Sequence, residues 1–307
     1  MDYSKKSLKI FQVKKIMIKK KLSKNAKKVD RFLINFLKKQ KHSLLVKPMK
    51  YGVISGGKKI RSTIIFDTGK IFNLSEKKLI NICAAVESIH SYSLIHDDLP
   101  CMDNDSTRRG KASTHIKFGE ASAVLAGSSL LTLAFEIISD KKYALDLKTK
   151  NEIIKFLASC SGHTGIAGGQ ELDLKFENKK KKIDQIIDMQ KKKTGKLFNF
   201  CLYAVAAIGK KSDKEKKIFS NLGEEVGLLF QLADDFLDKR GSRKLVGKPL
   251  KKDNKKGKST VLNLLGEKKA YLYANNLKRK ILRKLEKYGK KADELVSTIE
   301  FILERKF

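Results

Sequence analysis

Two clusters of aspartates stand out in a chain that has 33 acidic residues against 68 basic ones. They are Asp97-Asp98 with Asp103, and Asp234-Asp235 with Asp238. Carboxylates this close repel each other, by roughly 1 kcal/mol per pair at 4 Å in water and roughly 4 kcal/mol at a surface-like dielectric constant. A divalent cation offsets this repulsion, and Mg²⁺ typically takes one or two carboxylates together with substrate phosphates. The clusters therefore predict a magnesium site for a phosphorylated substrate.

The expected local structure brings the carboxylates of each cluster together. Asp234 and Asp238 are four residues apart, so they share one face of a helix. After Asp97, Pro100 should break the helix and let Asp103 curl back toward Asp97. The alternative is that both clusters are solvated acids at helix ends, which is the ordinary explanation of a single short motif.

Two other kinds of metal site are excluded by spacing. The loop that begins at Asp103 has Arg108 where an EF-hand requires glycine, and no glutamate closes it. The five histidines do not combine with cysteines at the spacing of zinc ligands.

Glycines and cations occur together in several places, which predicts contacts with anions. Gly56 and Gly57 let the backbone approach an anion closely, while Lys58 and Arg61 neutralise it. Residues 257–260 resemble the end of a P-loop, but the first glycine of that motif would be residue 252, which is a lysine. The other candidate cations are Arg108, Arg109, Lys193 and Lys258.

Helices should carry these residues, because the chain has only three prolines and its apolar residues recur at spacings of three and four. Residues 80–96 and 121–138 are predicted core helices, the second apolar nearly all round. Further helices are predicted at residues 7–39, 149–167, 183–208, 213–238, 266–288 and 292–304. No linker rich in Pro, Gly or Ser divides the chain. We therefore expect one all-α domain over residues 1–307, with residues 1–40 as a lysine-rich helical segment.

The composition limits partners and location. The formal net charge is +35, yet it is spread in lysine pairs and only nine of the 68 basic residues are arginine, so we expect no nucleic-acid partner. The longest uncharged apolar run, residues 121–135, falls short of the roughly 18 residues that a membrane span needs, so no membrane insertion is expected. Four dispersed cysteines and an N-terminus without an uninterrupted apolar stretch favour a cytoplasmic protein.

Read in order, the motifs resemble those of the trans-isoprenyl diphosphate synthases, most closely the short-chain bacterial farnesyl diphosphate synthase type. They are GGKKIR at 56–61, ESIHSYSLIHDDLPCMDNDSTRRG at 87–110, GGQELDL at 168–174, KTG at 193–195, QLADDFLD at 231–238, GK at 247–248 and GKST at 257–260. The resemblance implies an isoprenoid synthase fold, in which helices surround a deep central cavity, and a homodimer. It also implies head-to-tail condensation of isopentenyl diphosphate with dimethylallyl or geranyl diphosphate, giving farnesyl diphosphate.

The resemblance further implies a role for each matching residue. About three Mg²⁺ on the allylic diphosphate would be held by Asp97, Asp98, Asp103, Asp234 and Asp238, with Asp235 supporting them from behind. The same diphosphate would be bound by Arg108, Lys193 and Lys258, with Lys248 close by. Isopentenyl diphosphate would be bound by Lys58, Arg61, His90 and Arg109. The allylic cation would be stabilised by oxygens of Thr194 and Gln231, so that the catalytic side chains are Lys193, Thr194, Gln231 and Lys258.

Product length is implied by the position five residues before the first aspartate, which in this family forms the floor of the substrate tunnel. Here it is Tyr92, which suggests a stop at fifteen carbons. At about 100° per residue, however, Ser93 lies more nearly beneath Asp97, and Tyr92 could equally be an ordinary core aromatic. A geranylgeranyl or other chain length is the alternative.

Several positions depart from the family pattern. Lys59 replaces the usual arginine of GGKRxRP and Ser62 replaces its proline, which predicts weaker isopentenyl binding through loss of a bidentate fork. Lys251 and Ser242 alter the loop of the GK motifs. A terpene cyclase and an inactive subunit on the same fold remain the alternatives, and the complete set of isopentenyl-site cations argues against the cyclase.

Overall fold

The structure is a computed structural model that describes residues 2–40, 43–240 and 260–304. Its helices are α1 (Asp2–Lys38), α2 (Val46–Val53), α3 (Ile60–Ile71), α4 (Glu76–Asp97), α5 (Thr114–Phe118), α6 (Glu120–Ser139), α7 (Leu147–Ser161), α8 (Ile166–Phe176), α9 (Ile183–Gln190), α10 (Lys196–Ile208), α11 (Asp213–Arg240), α12 (Val261–Leu265), α13 (Glu267–Leu285) and α14 (Asp293–Glu304). A π-helical turn, Lys191–Gly195, joins α9 to α10, and a 3₁₀ segment, Glu286–Ala292, joins α13 to α14. The described strands are β1 (Thr107–Arg108) and β2 (Lys111–Ala112), which pair antiparallel with Thr107 opposite Ala112. The all-α prediction is confirmed.

The centre of the molecule is formed by α4 and α10, which are buried on nearly every side. α4 packs along α6, and α10 packs along α11, with α3 lying against both α4 and α10. Almost every residue of α10 is buried, because its sequence is apolar from Leu197 to Ile208 apart from Asn199. The first aspartate cluster begins at the end of α4, and the second lies in α11.

The lysine-rich first helix is docked onto this core rather than standing apart from it. One stripe of α1 is buried, comprising Ile18, Leu22, Ala26, Val29, Leu33 and Leu37. This spacing of three and four places the apolar residues on one face and the lysines on the other.

Three features of the fold differ from the sequence prediction. The predicted helix at 149–167 is wrong, since α7 ends at Ser161 and α8 starts separately at Ile166 after a turn that contains Gly162 and Gly165. α2 and α3 were not predicted, because α3 is buried on nearly all faces and therefore shows no apolar stripe. The predicted all-round burial of α6 is also wrong, because Val124 is 42% exposed and Leu125 is 54% exposed.

Within the described ranges, α6 is the one helix that is long and apolar enough to cross a membrane by length and composition. A core helix of a soluble protein passes the same test, and 44% of the most apolar window of α6 is buried. Its buried side packs against α4, so this finding is weak evidence for a membrane span.

Candidate active site

A cavity of about 470 Å³ opens where the two aspartate clusters face each other. Its walls come from the loop before α3, the end of α4, the turn that follows it, α8, the π-helical turn and α11. Thirteen of the residues predicted from the sequence line it: Lys58, Arg61, His90, Ser93, Asp97, Asp103, Arg108, Arg109, Lys193, Thr194, Gln231, Asp234 and Asp238. The structure thus brings segments far apart in the chain to one site.

The first aspartate cluster is shaped by the end of α4. The helix stops at Asp97, and the backbone N–H of Asp103 donates to the Asp97 carbonyl at 2.8 Å, as the prediction of a chain curling back after Pro100 required. The pKa of Asp97 is raised to about 6, chiefly by burial and in part by the neighbouring Asp103 and Asp98, while Lys193 and Arg108 oppose the shift. A bound cation would favour the ionised form of this carboxyl.

Asp98 has a different environment from Asp97. Arg108 donates from Nε to Oδ1 of Asp98 at 3.0 Å and to its Oδ2 at 3.2 Å, and a second guanidinium nitrogen also contacts Oδ1. Among the described residues, Asp98 is not part of the cavity lining, while Arg108 is. The observed contact of Asp98 is therefore with the arginine that faces the cavity, and its role as a metal ligand stays a prediction.

The second aspartate cluster lies at the cavity end of α11. Asp234 and Asp238 both line the cavity, as their spacing predicted. Asp235 is buried and orients two amides, accepting from Nε2 of Gln190 at 3.0 Å and from Nε2 of Gln231 at 2.9 Å. Asp235 therefore orients the side chain of Gln231, which lines the cavity.

The π-helical turn aims the residues of the KTG motif into the cavity. A π turn widens the helix locally and is common at functional sites. Thr194 donates its hydroxyl to Oε1 of Gln231 at 2.7 Å, and Nζ of Lys193 lies 2.6 Å from Oδ2 of Asp173. A Cβ on Gly169 would come within 2.2 Å of the backbone nitrogen of Lys193, so only glycine lets α8 approach this turn.

The site fits magnesium in the chemistry of its donors. In the part of the chain that is described, no group of three or more His, Cys, Asp or Glu side chains converges closely enough to hold a metal alone. Carboxylates on two facing walls suit an ion that completes its shell with water and substrate phosphate oxygens. Asp97, Asp103, Asp234 and Asp238, which all line the cavity, fit this donor chemistry, and their role as magnesium ligands stays a prediction.

A second group of side chains that line the cavity is cationic: Lys58, Arg61 and Arg109. Arg61 is buried, with its guanidinium carbon 4.6 Å from the ring centroid of Phe198 and 5.6 Å from that of Phe230. The pKa of His90 lies well below its ordinary value because the ring is buried and because Arg61, Arg109, Lys59 and Arg108 surround it. The cavity thus brings His90 together with cationic side chains.

Gly57 packs closely against the guanidinium group of Arg109. Its φ of +103° favours glycine, and a Cβ there would lie 2.7 Å from the guanidinium carbon of Arg109. Arg109 in turn donates to Oγ of Ser55 at 3.3 Å and to the Gly56 carbonyl. The glycine pair therefore lets the loop wrap around an arginine that lines the cavity, while the predicted close approach of its backbone to an anion stays a prediction.

Of the two residues considered for the floor of the substrate tunnel, only one lines the described cavity. Ser93 lines the cavity, whereas Tyr92 is not among its described lining residues. The Tyr92 ring packs edge-on against His96, with centroids 5.4 Å apart. This agrees with the helix arithmetic that placed Ser93 beneath Asp97, and the floor role of Tyr92 stays a prediction.

Some predicted residues lie outside the described ranges and others were missed. Lys248 and Lys258, together with the departures at Ser242 and Lys251, fall in residues 241–259. Glu87, Gln170, Asp173 and Gln190 line the cavity without having been assigned a role. Glu87, Gln170 and Asp173 stand inside quoted motifs, and neither side-chain polar atom of Gln170 has a hydrogen-bond partner in the described structure.

Comparison with known proteins is consistent with this geometry. The sequence profile of the polyprenyl synthetase family matches residues 42–300. The farnesyl diphosphate synthase of Escherichia coli (strain K12) is 39% identical over 266 residues, which are 85% of this chain and 89% of that protein. An FPP/GFPP synthase from Zymomonas mobilis has a TM-score of 0.83 and 36% identity, covering 94% of this chain and 99% of its own. A geranyltransferase from Helicobacter pylori, solved with magnesium and isoprenyl diphosphate, has a TM-score of 0.78 and 31% identity, covering 93% and 97%.

These solved structures confirm the predicted isoprenoid synthase fold. The match to the family profile spans most of the chain and includes both aspartate clusters and the glycine-rich loop before α3. The chain therefore belongs to the polyprenyl synthetase family.

Proposed function

We propose that this protein is a prenyltransferase that condenses isopentenyl diphosphate head-to-tail with dimethylallyl and geranyl diphosphate, with farnesyl diphosphate as its main product. The proposal rests on one observation: a single cavity is lined by both a group of carboxylates and a group of cations, which gives it two sites that could each bind a diphosphate. One site is lined by the two aspartate clusters, and the other by Arg61, Arg109 and neutral His90. A terpene cyclase would need only the first.

The acidic side is assigned to the allylic diphosphate. Three Mg²⁺ ions would be held by Asp97, Asp103, Asp234 and Asp238. Asp98 would become a further ligand once its carboxylate separates from Arg108. When bound, Mg²⁺ neutralises the diphosphate as it leaves. Lys193 contributes a positive charge to the same group, and Lys248 and Lys258 are assigned to it from sequence.

The reaction follows from the placement of the remaining side chains. The carbon–oxygen bond of the allylic diphosphate breaks, and both electrons leave with the diphosphate. The hydroxyl of Thr194 donates to Gln231, so the lone pairs of the Thr194 oxygen are available to the allylic cation. The isopentenyl double bond attacks this cation, and a proton is then lost to the departed diphosphate from the carbon next to the new cationic centre.

The cationic side is assigned to isopentenyl diphosphate. Lys58, Arg61 and Arg109 supply the positive charges, and neutral His90 supplies a hydrogen bond to a diphosphate oxygen. Arg61 stacks on Phe198, so its guanidinium plane is fixed before the substrate arrives. Because this diphosphate is retained in the product of each cycle, it needs charge neutralisation without activation for departure.

We further propose a cytoplasmic homodimer with the exposed face of α5 and α6 as its interface. Ile116 is 57% exposed, Val124 is 42% exposed and Leu125 is 54% exposed. A second copy of this chain would cover these side chains. Leu125→Glu should convert a dimer, measured by light scattering after size exclusion, to a monomer that keeps its helical circular dichroism. A wild-type protein that elutes as a monomer would contradict the dimer.

The proposed activity is tested by incubating the purified protein with Mg²⁺, isopentenyl diphosphate and either allylic diphosphate. Products are dephosphorylated and resolved by mass. A fifteen-carbon alcohol is expected, and Asp97→Asn should abolish it, whereas Asp188→Asn, at an exposed side chain of α9, should not. Hydrocarbon from geranyl diphosphate alone would support a cyclase, and no product from folded protein would support an inactive subunit.

A further inference from the structure

The two departures from the family motif in the loop before α3 make contacts that the motif did not predict. Lys59 stands between Lys58 and Arg61, two of the cations assigned to isopentenyl diphosphate, but its own ammonium group is engaged elsewhere. It donates to the Val53 carbonyl at 3.0 Å and lies 3.1 Å from Oδ1 of Asp30. Its side chain is 3% exposed, so this ammonium group is almost fully withdrawn from water.

The backbone of Lys59 explains why such an anchor is needed. Lys59 has a φ of +41° and follows Gly56 at +94° and Gly57 at +103°. A left-handed conformation is unfavourable for a residue with a Cβ, so it persists only where surrounding contacts hold it. The contacts with Asp30 and the Val53 carbonyl supply that restraint.

Ser62 anchors the other end of the loop. Its backbone N–H and its hydroxyl both donate to Oε1 of buried Glu87, at 3.3 and 2.7 Å. Proline, which the family usually has here, could make neither hydrogen bond. The loop that presents Lys58 and Arg61 is thus tied to α1 and α2 at Lys59 and to α4 at Ser62.

Asp30 lies in α1, and the family profile begins only at residue 42. The N-terminal helix therefore contributes a contact to the site from outside the residues that the family profile matches. Besides burying its apolar stripe, α1 is held by Lys21, whose Nζ lies 2.9 Å from Oδ2 of Asp67, so its docking does not depend on Asp30 alone.

We propose that Asp30 is a positioning residue for isopentenyl diphosphate, acting through Lys59 to fix the loop that presents Lys58 and Arg61. This inference rests on the assignment of the cationic side in the proposed function. Removing the Asp30 charge leaves the buried Lys59 ammonium without its counter-ion, so the lysine must move toward water and take the loop with it.

The test compares Michaelis constants for the two substrates in Asp30→Asn and Lys59→Met. Each variant should raise KM for isopentenyl diphosphate on the order of tenfold, because misplaced binding groups are costly, while KM for geranyl diphosphate and kcat change less than about twofold. The double variant should be no worse than either single one, because both remove the same contact. Lys59→Arg, which keeps the charge, should recover most of the affinity.

Matched controls separate positioning from a loss of docking by α1. Glu76→Gln removes the exposed ion pair between Lys28 of α1 and Glu76, at 2.5 Å, which does not touch the loop. It should leave both Michaelis constants unchanged. Hydrogen exchange should show faster exchange in residues 56–61 of Asp30→Asn, with the rest of α1 protected as in the wild type.

The outcomes distinguish this inference from the proposed function. Wild-type protein that elongates geranyl diphosphate, with KM for isopentenyl diphosphate unchanged in both variants, would overturn the inference alone. Equal increases in both Michaelis constants would also overturn it, since they indicate general damage to the site. Folded wild-type protein without any elongation would overturn the proposed function, and the inference with it.

Discussion

Asp67 should make the stability of this protein depend on pH in a way that one substitution removes. It is 1% exposed, lies 2.9 Å from Nζ of Lys21 and accepts a hydrogen bond from Thr298 at 2.5 Å. Burial raises its pKa to about 6, against the opposing effects of Lys21 and Thr298. Lys21 only partly offsets burial because it is shared with Glu294, whose carboxylate lies 2.8 Å from the same ammonium group.

The sign and size of the effect follow from this shift. An acid whose pKa is higher in the folded than in the unfolded chain stabilises the fold at low pH, and that contribution is lost as the pH rises through the folded value. With an unfolded value of 3.8 and a folded value of about 6, Asp67 contributes roughly 1.4 kcal/mol at about pH 5 and close to nothing at about pH 7.5. Asn at this position cannot titrate.

The free energy of unfolding of the wild type, relative to Asp67→Asn, should therefore fall by roughly 1.4 kcal/mol between about pH 5 and about pH 7.5. Urea unfolding followed by circular dichroism at the two pH values measures this difference. Asp188→Asn, at an exposed side chain of α9, serves as the control for the removal of a surface charge. A difference that is constant, or that grows with pH, would refute the reasoning, because it would mean that burial does not dominate at Asp67.

The remaining predictions concern the site. Asp97→Ala and Asp234→Ala should each abolish turnover while the circular dichroism spectrum stays helical, and near-normal activity in either would contradict its assignment as a metal ligand. Asp235→Ala should lower kcat about tenfold or more with smaller changes in KM, because it releases the amide of Gln231; an effect on KM alone would contradict that role. Ser93→Phe should shorten the main product to ten carbons, since residue 93 lines the cavity, and an unchanged product would place the tunnel elsewhere. Chelation of Mg²⁺ should abolish geranyl diphosphate binding in calorimetry but retain isopentenyl diphosphate binding; loss of both would contradict two separately built sites.

The local geometry of the two aspartate clusters could be predicted because it depends on residues that are close together in the sequence. Pro100 and the four-residue interval in α11 determine how each cluster folds back or shares a face, and the structure has both arrangements. The partners of these residues were not predictable in the same way. Asp98 and Arg108 are ten residues apart across a turn, so only the turn's conformation decides that they pair.

Positions fixed by long-range packing were the least accessible to sequence reasoning. Asp30 and Lys59 meet because α1 docks beside the loop before α3, and nothing near Asp30 in the sequence indicates that contact. The same limit explains why α3 was missed, since a helix buried on most faces has no apolar stripe to detect. It also explains α6, whose uniformly apolar sequence does not reveal which side is exposed.

The two groups of residues that line the cavity offset the negative charge of a diphosphate in different ways. α4 ends at Asp97, so the negative end of its helix dipole adds to the carboxylates there. A bare diphosphate is repelled by these carboxylates and is attracted only once cations are shared with it. The other group of lining side chains includes the cations Lys58, Arg61 and Arg109, beside a His90 whose pKa is lowered by burial and by Arg61 and Arg109. A bare diphosphate is therefore directed to the cationic group, which leaves the carboxylates to the diphosphate that must depart.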